Sequence, residues 1–261
     1  MKGKFHLATV RPRVDVTGNV AYSAHDMLFD WHRFEIPKGG CAIKSFNMIV
    51  QGVNGAAAAG VDMEIFFARS VNGVAPPSIA ATNADSQVKA TWTQARTHII
   101  GHKILDASAM ENSDTYTLSY NIWDQTAVGD QVHNQIDIVL EGDPSYPGAT
   151  AGYQSIWIAA VAIEGGEDFG TGVLLNETDA ADLAALGTAT LIVDGSDVRD
   201  VFAIGDEVIM QDGAKLGIIK SMTHDGTDGT IVLESPHTDA IADGDEICFR
   251  GPIQFNFGLE Y

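Results

Sequence analysis

The sequence predicts an all-β protein: a β-sandwich of jelly-roll type with a small β-barrel inserted near its C-terminal end. Two observations support this fold class. Before residue 175, short runs rich in Val, Ile, Phe, Tyr and Trp alternate with turns rich in Gly, Asn, Asp and Pro, and helical signals are scarce. Between Thr188 and Phe249, a strand–loop–strand pattern occurs twice, each time with Gly-Asp-Glu opening the second strand.

Eight runs in the first 165 residues have the composition of strands. They cover residues 5–10, 27–36, 42–50, 61–69, 92–105, 115–123, 135–140 and 156–163, and the fifth could form one long strand or two. Residues 156–163 are apolar on both faces, which predicts a central strand. Residues 37–40 predict a turn, and residues 52–60 and 72–91 predict loops, because glycine, alanine and proline dominate them.

The duplicated region follows a glycine-rich linker at residues 164–172 and a short helix predicted between Thr178, as its N-cap, and Gly187. Residues 190–193 and 230–233 are the first strands of the two repeats. Residues 203–208 and 240–247 lead into the second strands. The matching pairs of strands predict a small barrel built from two related halves.

The last nine residues form a strand by themselves, with Ile253, Phe255, Phe257 and Leu259 on one face. Burying such side chains stabilises a fold by about 1.5–3 kcal/mol each, so the face needs a partner. We expect the strand to return to the first domain, beside residues 156–163, although pairing with a neighbouring subunit is the alternative. The predicted organisation is a docking sandwich of residues 1–165 plus 251–261, and an acidic inserted module of residues 173–250.

The net charge of −20 is concentrated in the duplicated region. Residues 166–250 hold 18 acidic and 4 basic residues, a net of −14, and the rest of the chain carries the other −6. A field of this sign repels phosphate, so neither nucleic acid nor an anionic membrane is an expected partner. The charge indicates either a strongly solvated surface or a module that projects outward from an assembly.

The two cysteines, Cys41 and Cys248, lie beside apolar residues and are expected to be buried thiols rather than disulfide or zinc ligands. The N-terminus lacks the apolar run of a signal peptide, and no apolar stretch is long enough to span a membrane. We therefore expect a soluble protein without an export signal.

Histidine and aspartate clusters raise the question of a metal site. His98 and His102 have the spacing of zinc ligands on a helix, but Gly101 and the β-rich context favour a strand. Three Asp-rich loops, at residues 194–197, 225–229 and 243–246, could hold calcium, yet Asp-Gly is also typical of tight turns, and none has the twelve-residue calcium pattern. We predict turns and no bound metal.

No nucleophile elbow, phosphate-binding loop or dinucleotide fingerprint is present. The carboxylate pairs Asp206–Glu207 and Asp245–Glu246 could serve glycoside hydrolysis, but they occupy equivalent places in a repeat, which favours a structural turn. The four tryptophans could line a sugar-binding face, with core packing as the default. We predict no catalytic residue and no cofactor.

A glycine- and alanine-rich sandwich interrupted by a barrel around "IGDEVIMQDG" and "ADGDEICFRG" resembles virion structural proteins of tailed bacteriophages, particularly capsid decoration (cement) and accessory fibre proteins. The Gly-Asp turns also resemble the Gly-Asp box of small cradle-like barrels. The resemblance implies a non-enzymatic homo-oligomer, a dimer or trimer, assembled in the host cytoplasm and docked on the major capsid protein at the capsid surface. The alternative is a tail or head-fibre adhesion module that binds a host glycan.

Charge alone selects candidate contact residues for such docking. Lys2, Lys4, Arg11 and Arg13 form the one basic cluster in the sequence. We predict that these four side chains, with the loops at residues 72–91 and 141–152, contact the capsid.

Overall fold

The computed structural model describes residues 3–14, 22–52, 62–79, 92–105, 110–112, 117–119, 138–165, 169, 173–174, 188–193, 195, 197–210, 214–239, 241 and 245–261. Sixteen strands are present among them: β1 Phe5–Val10, β2 Met27–Pro37, β3 Cys41–Val50, β4 Met63–Ala68, β5 Ile99–Leu105, β6 Met110–Asn112, β7 Thr117–Ser119, β8 Val139–Leu140, β9 Tyr153–Ala162, β10 Val173–Leu174, β11 Thr190–Val193, β12 Glu207–Met210, β13 Lys215–His224, β14 Gly229–Leu233, β15 Glu246–Phe249 and β16 Ile253–Glu260. The prediction of an all-β, sandwich-like fold is confirmed.

Two antiparallel sheets form the sandwich. The front sheet has the order β1-β16-β3-β7-β6, with β8 also paired to β3, and the back sheet has the order β2-β9-β4-β5. Aromatic rings fill the space between them: Phe257 of β16 stacks on Phe34 of β2 at 5.7 Å between ring centroids and meets Phe67 of β4 edge-on at 5.5 Å. The core of the sandwich is therefore built by residues from both ends of the chain.

Strand β9 is central, as its two apolar faces predict. Ile156, Ile158 and Ala160 are fully buried against the front sheet. On the other face, Ala159 and Val161 pack beneath Ile79 and Ala95, which lie in the segments that cover the back sheet. Both faces of β9 are buried, so its sequence does not need to alternate between polar and apolar residues.

Two sequence expectations about strands are wrong. Strand β16 does not lie beside β9 but pairs with β1 and β3 in the opposite sheet, because its apolar face packs across the core against the back sheet. Residues 92–105 are not strand throughout: Trp92–Ala95 form a helical turn, α1, and a strand begins at Ile99.

The acidic module, residues 173–250, is a curled six-stranded sheet in the order β10-β15-β12-β13-β14-β11. Its repeats pair with each other: Ile209 of β12 lies opposite Cys248 of β15, and Leu191 of β11 lies opposite Ile231 of β14. In both pairs the two residues hold equivalent places in the duplicated pattern. The duplication thus produces a pseudo-twofold axis through the centre of the module.

The module packs on the sandwich through the strand pair β12 and β15, which the pseudo-twofold axis relates to each other. In β12 and β15, Val208 and Phe249 point into the module's own core, whereas Ile209 and Cys248 belong to the core of the sandwich.

The predicted helix at residues 178–187 and most of the predicted loop at residues 52–60 lie outside the described residues. No helix in the described ranges is long and apolar enough to span a membrane.

Candidate functional site

The Gly-Asp turn of the first repeat binds the N-terminal segment. The carboxylate of Asp206, 6% exposed, accepts a hydrogen bond from Arg11 Nη1 at 2.6 Å and another from the Ala203 backbone N–H at 2.9 Å. Arg11 also donates from Nε to the Gly251 carbonyl at 3.0 Å and lies over the ring of Phe249. A buried carboxylate needs such partners. Through these two bonds Asp206 stabilises the turn and attaches it to Arg11, the residue that follows β1.

Glu207 continues this contact with three cations. Its carboxylate lies 3.1 Å from Arg13 Nε and 3.8 Å from both Lys215 Nζ and Arg250 Nη1. Glu207 Oε2 and Arg250 Nη1 are both shielded from solvent and make no hydrogen bond. The attraction here is Coulombic rather than hydrogen-bonded, which makes it sensitive to salt where the partners reach solvent.

The basic cluster predicted from sequence is therefore divided. Arg11 and Arg13 form ion pairs with carboxylates of the acidic module, and Lys2 lies outside the described residues. Lys4 has an exposed side chain and exchanges backbone hydrogen bonds with Tyr261, at 3.2 and 3.0 Å between N and O. Of the four predicted contact residues, Lys4 is the one that the structure describes without an ion pair.

The face of the front sheet that points away from the core, the front face, is a second candidate surface. Phe5 and Leu7 of β1 are 72% and 66% exposed there. Beside them runs a row of polar side chains: Asn256 accepts from Thr9 Oγ1 at 3.0 Å and donates to Asn47 Oδ1 at 3.3 Å. Sequence reasoning missed this surface because β1 carries apolar residues on both of its faces.

The local charge of the front face is close to balanced. Lys44 of β3 and Glu260 of β16 form an ion pair of 3.2 Å on it. Gln254 adds a neutral amide that donates to Asn256 at 3.3 Å. A polar and nearly neutral surface with the exposed apolar side chains of Phe5, Leu7 and Val139 suits contact with another protein better than contact with a charged small molecule.

The candidate metal ligands have other partners. The ring of His98 is buried and bonds the Arg69 carbonyl at 2.9 Å, while His102 bonds Glu64 at 2.6 Å on the surface of β4 and β5. The carboxylate of Asp225 accepts from the Thr227 and Asp228 backbone N–H groups, as a turn aspartate does. In the part of the chain that the structure describes, no three His, Cys, Asp or Glu side chains are placed to hold a metal ion.

The two cysteines are buried thiols. Burial raises the pKa of Cys41 to about 11, and burial together with Glu246 raises the pKa of Cys248 to about 12. The two described tryptophans contact other parts of the protein. Trp157 is buried, with 5% of its surface exposed, and Trp31 packs against the core and donates from Nε1 to the Pro77 carbonyl at 2.9 Å. Trp92 and Trp123 are outside the described side chains.

No protein-family profile matches the sequence, and no match is found among curated proteins.

Proposed function

We propose that the protein is a structural virion protein of the capsid decoration (cement) type, which binds the major capsid protein and stabilises its lattice. The observation that carries the proposal is the front face: on a chain with a net charge of −20, it is a nearly neutral area with exposed Phe5 and Leu7. The sandwich would dock through this face, and the acidic module would extend into solvent.

The ion pairs at the base of the module support this division of roles. Arg11 and Arg13 pair with Asp206 and Glu207, and these ion pairs help to hold the module on the sandwich. Lys4 lies at the N-terminal end of β1 with an exposed side chain and remains a contact candidate, together with Lys2. The proposed docking surface is thus the front face, together with Lys4 at the N-terminal end of β1.

The proposal predicts which lysines matter for binding. Replacing both Lys2 and Lys4 by Gln should weaken binding to particles assembled from the major capsid protein about two- to thirtyfold, since each exposed charge pair contributes about 0.2–1 kcal/mol. The matched control is Lys220→Gln on the exposed surface of β13, which should bind as the wild type does. Occupancy per particle is measured by cosedimentation at a series of protein concentrations.

Wild-type protein that fails to bind the particles would overturn the decoration role. Equal losses for the Lys2/Lys4 and Lys220 variants would overturn the assignment of the docking face, because they would indicate a general effect of charge.

The alternative role is an adhesion module that binds a host glycan. The observation in its favour is that the front face carries both an exposed aromatic ring, that of Phe5, and the amides of Asn256 and Asn47, groups that can contact a sugar. Glycan-array binding that disappears in Phe5→Ala, without binding to capsid particles, would favour adhesion over decoration.

A further inference from the structure

Strand β1 is an edge strand with one unused side. Lys4 exchanges backbone hydrogen bonds with Tyr261, so in the alternating antiparallel pattern His6, Ala8 and Val10 also bond to β16. The N–H and C=O groups of Phe5, Leu7 and Thr9 consequently point to the opposite edge. No strand among the described residues pairs with that edge.

The other long edge strands are protected against pairing, and β1 is not. Strand β2 has two register irregularities and carries Asp30, Arg33 and Glu35, and β5 has an irregularity and carries His102 and Lys103. Irregularities and charges of this kind prevent association between edges. Strand β1 has a regular register, contains no Asp, Glu, Lys or Arg, and exposes Phe5 and Leu7.

We propose that a second copy of this chain pairs with the free edge of β1, antiparallel and with Leu7 on the twofold axis. In that register Leu7 lies opposite Leu7 of the second copy, and Phe5 lies opposite Thr9. The three residues that face the edge supply about six hydrogen bonds in all, because each pair on the edge exchanges an N–H and a C=O. The two front sheets then form one continuous sheet.

The charge pattern permits a second copy at this edge, and the proposed register places apolar and uncharged residues opposite each other. Most of the net charge of −20 lies in the acidic module, where two copies repel each other, whereas β1 is uncharged and its neighbour Glu260 is paired with Lys44. Lys4 would lie opposite Val10 of the second copy, so no like charges oppose each other along the strand. Standard interfaces bury about 800 Å² per partner, and two six-residue strands bury less, so the dimer should dissociate on dilution.

The first experiment measures native mass by light scattering over a range of concentrations. The wild type should approach twice the chain mass of 27.8 kDa at high concentration. Leu7→Lys places two like charges opposite each other and should raise the dissociation constant at least about tenfold. Val139→Lys, at a 64% exposed position on β8 of the same sheet, is the matched control and should dimerise as the wild type does.

The second experiment tests the register. Leu7→Cys should form an intermolecular disulfide under mild oxidation, since residues that exchange both backbone bonds have Cα atoms about 5.5 Å apart, within the range of disulfides. Val139→Cys is the control and should stay reduced. The native thiols do not interfere, because both are buried.

A wild type that stays at the chain mass at every concentration would overturn the proposal. So would a dimer that Leu7→Lys leaves intact and in which Leu7→Cys fails to cross-link. These measurements use the isolated protein, whereas the decoration role is measured on particles, so the two proposals can fail separately.

Discussion

Asp143 shows how one side chain orders a surface loop. Its carboxylate accepts hydrogen bonds from the hydroxyl and backbone N–H of Ser145, from the Gly73 N–H at 2.8 Å and from Ser70 Oγ at 3.3 Å. Gly73 has a φ of +77°, a conformation that few other residues adopt, so the donor is held in position. Through these bonds Asp143 connects the loop after β8 to the turn after β4.

These hydrogen bonds, led by that from the Ser145 hydroxyl, lower the pKa of Asp143 from 3.8 to about 2. A lowered folded-state pKa stabilises the protein above pH 3.8, and the contribution is lost as the pH falls toward 2. Asp143→Asn should therefore cost about 1 kcal/mol at neutral pH, less than the roughly 1.5–3 kcal/mol of buried bonds to a charged group because the carboxylate is partly exposed. The measurement is the free energy of unfolding in urea as a function of pH.

The difference between wild type and Asp143→Asn should shrink between pH 3.8 and 2. Glu141→Gln, at an exposed position two residues earlier, is the control and should change stability little. A difference that is the same at pH 2 as at pH 7 would show that the charge of Asp143 does not stabilise the loop.

Strand β16 organises the sandwich although it is the last element of the chain. It lies between β1 and β3, and its apolar residues Ile253, Phe255, Phe257 and Leu259 are fully buried. Phe257 contacts Phe34, Phe46 and Phe67, and so joins both sheets. The sandwich cannot complete its core until the chain has passed through the acidic module.

Two phenylalanines in neighbouring strands give a matched test of this role. Phe257→Ala should destabilise the protein by about 3–5 kcal/mol, because it leaves a cavity between the sheets. Phe5→Ala, at a 72% exposed position on β1, should change monomer stability by no more than about 0.5 kcal/mol. Urea unfolding at a concentration below dimerisation measures both, and similar losses for the two variants would contradict the assigned core.

At the level of the whole molecule, the hydrophobic core of the sandwich contacts the strands that enclose the core of the acidic module, and ion pairs lie at the margin of this contact. Ile209 of β12 and Cys248 of β15 place this pair of strands on the core of the sandwich. At the margin, Arg11 and Arg13 pair with Asp206 and Glu207. Apolar packing and ion pairs therefore both join the acidic module to the sandwich, and we expect the two parts to unfold together.

Removing the arginines should separate the two parts. Arg11→Met with Arg13→Met leaves Asp206 buried without its cation, and we expect a loss of about 2 kcal/mol, less than for a fully buried pair because Arg11 is 40% exposed. Calorimetry should show one transition for the wild type and two for the double variant. Arg199→Met is the control, since its pairing with Asp197 lies entirely within the module. A single transition in the double variant would show that apolar packing alone joins the two parts.

Most of the strands that could be predicted were predicted from patterns among neighbouring residues. The composition and alternation of short runs indicated β1, β3, β4, β9 and β16, because the period of a strand depends on neighbouring residues only. The helical turn at Trp92–Ala95 was missed because four residues are too few to show a helical period. The candidate site was predicted poorly, since Arg11 and its partner Asp206 are 195 positions apart.

By itself the sequence determined the all-β fold class, the buried character of β9 and the presence of two related halves in the acidic module. Each of these follows from residues close together or from a visible repeat. Only the tertiary structure decided that β16 lies between β1 and β3, that Arg11 and Arg13 face the module, and that β1 keeps a free edge. Pairing between distant strands and charges depends on how the whole chain packs, and a linear pattern does not contain that information.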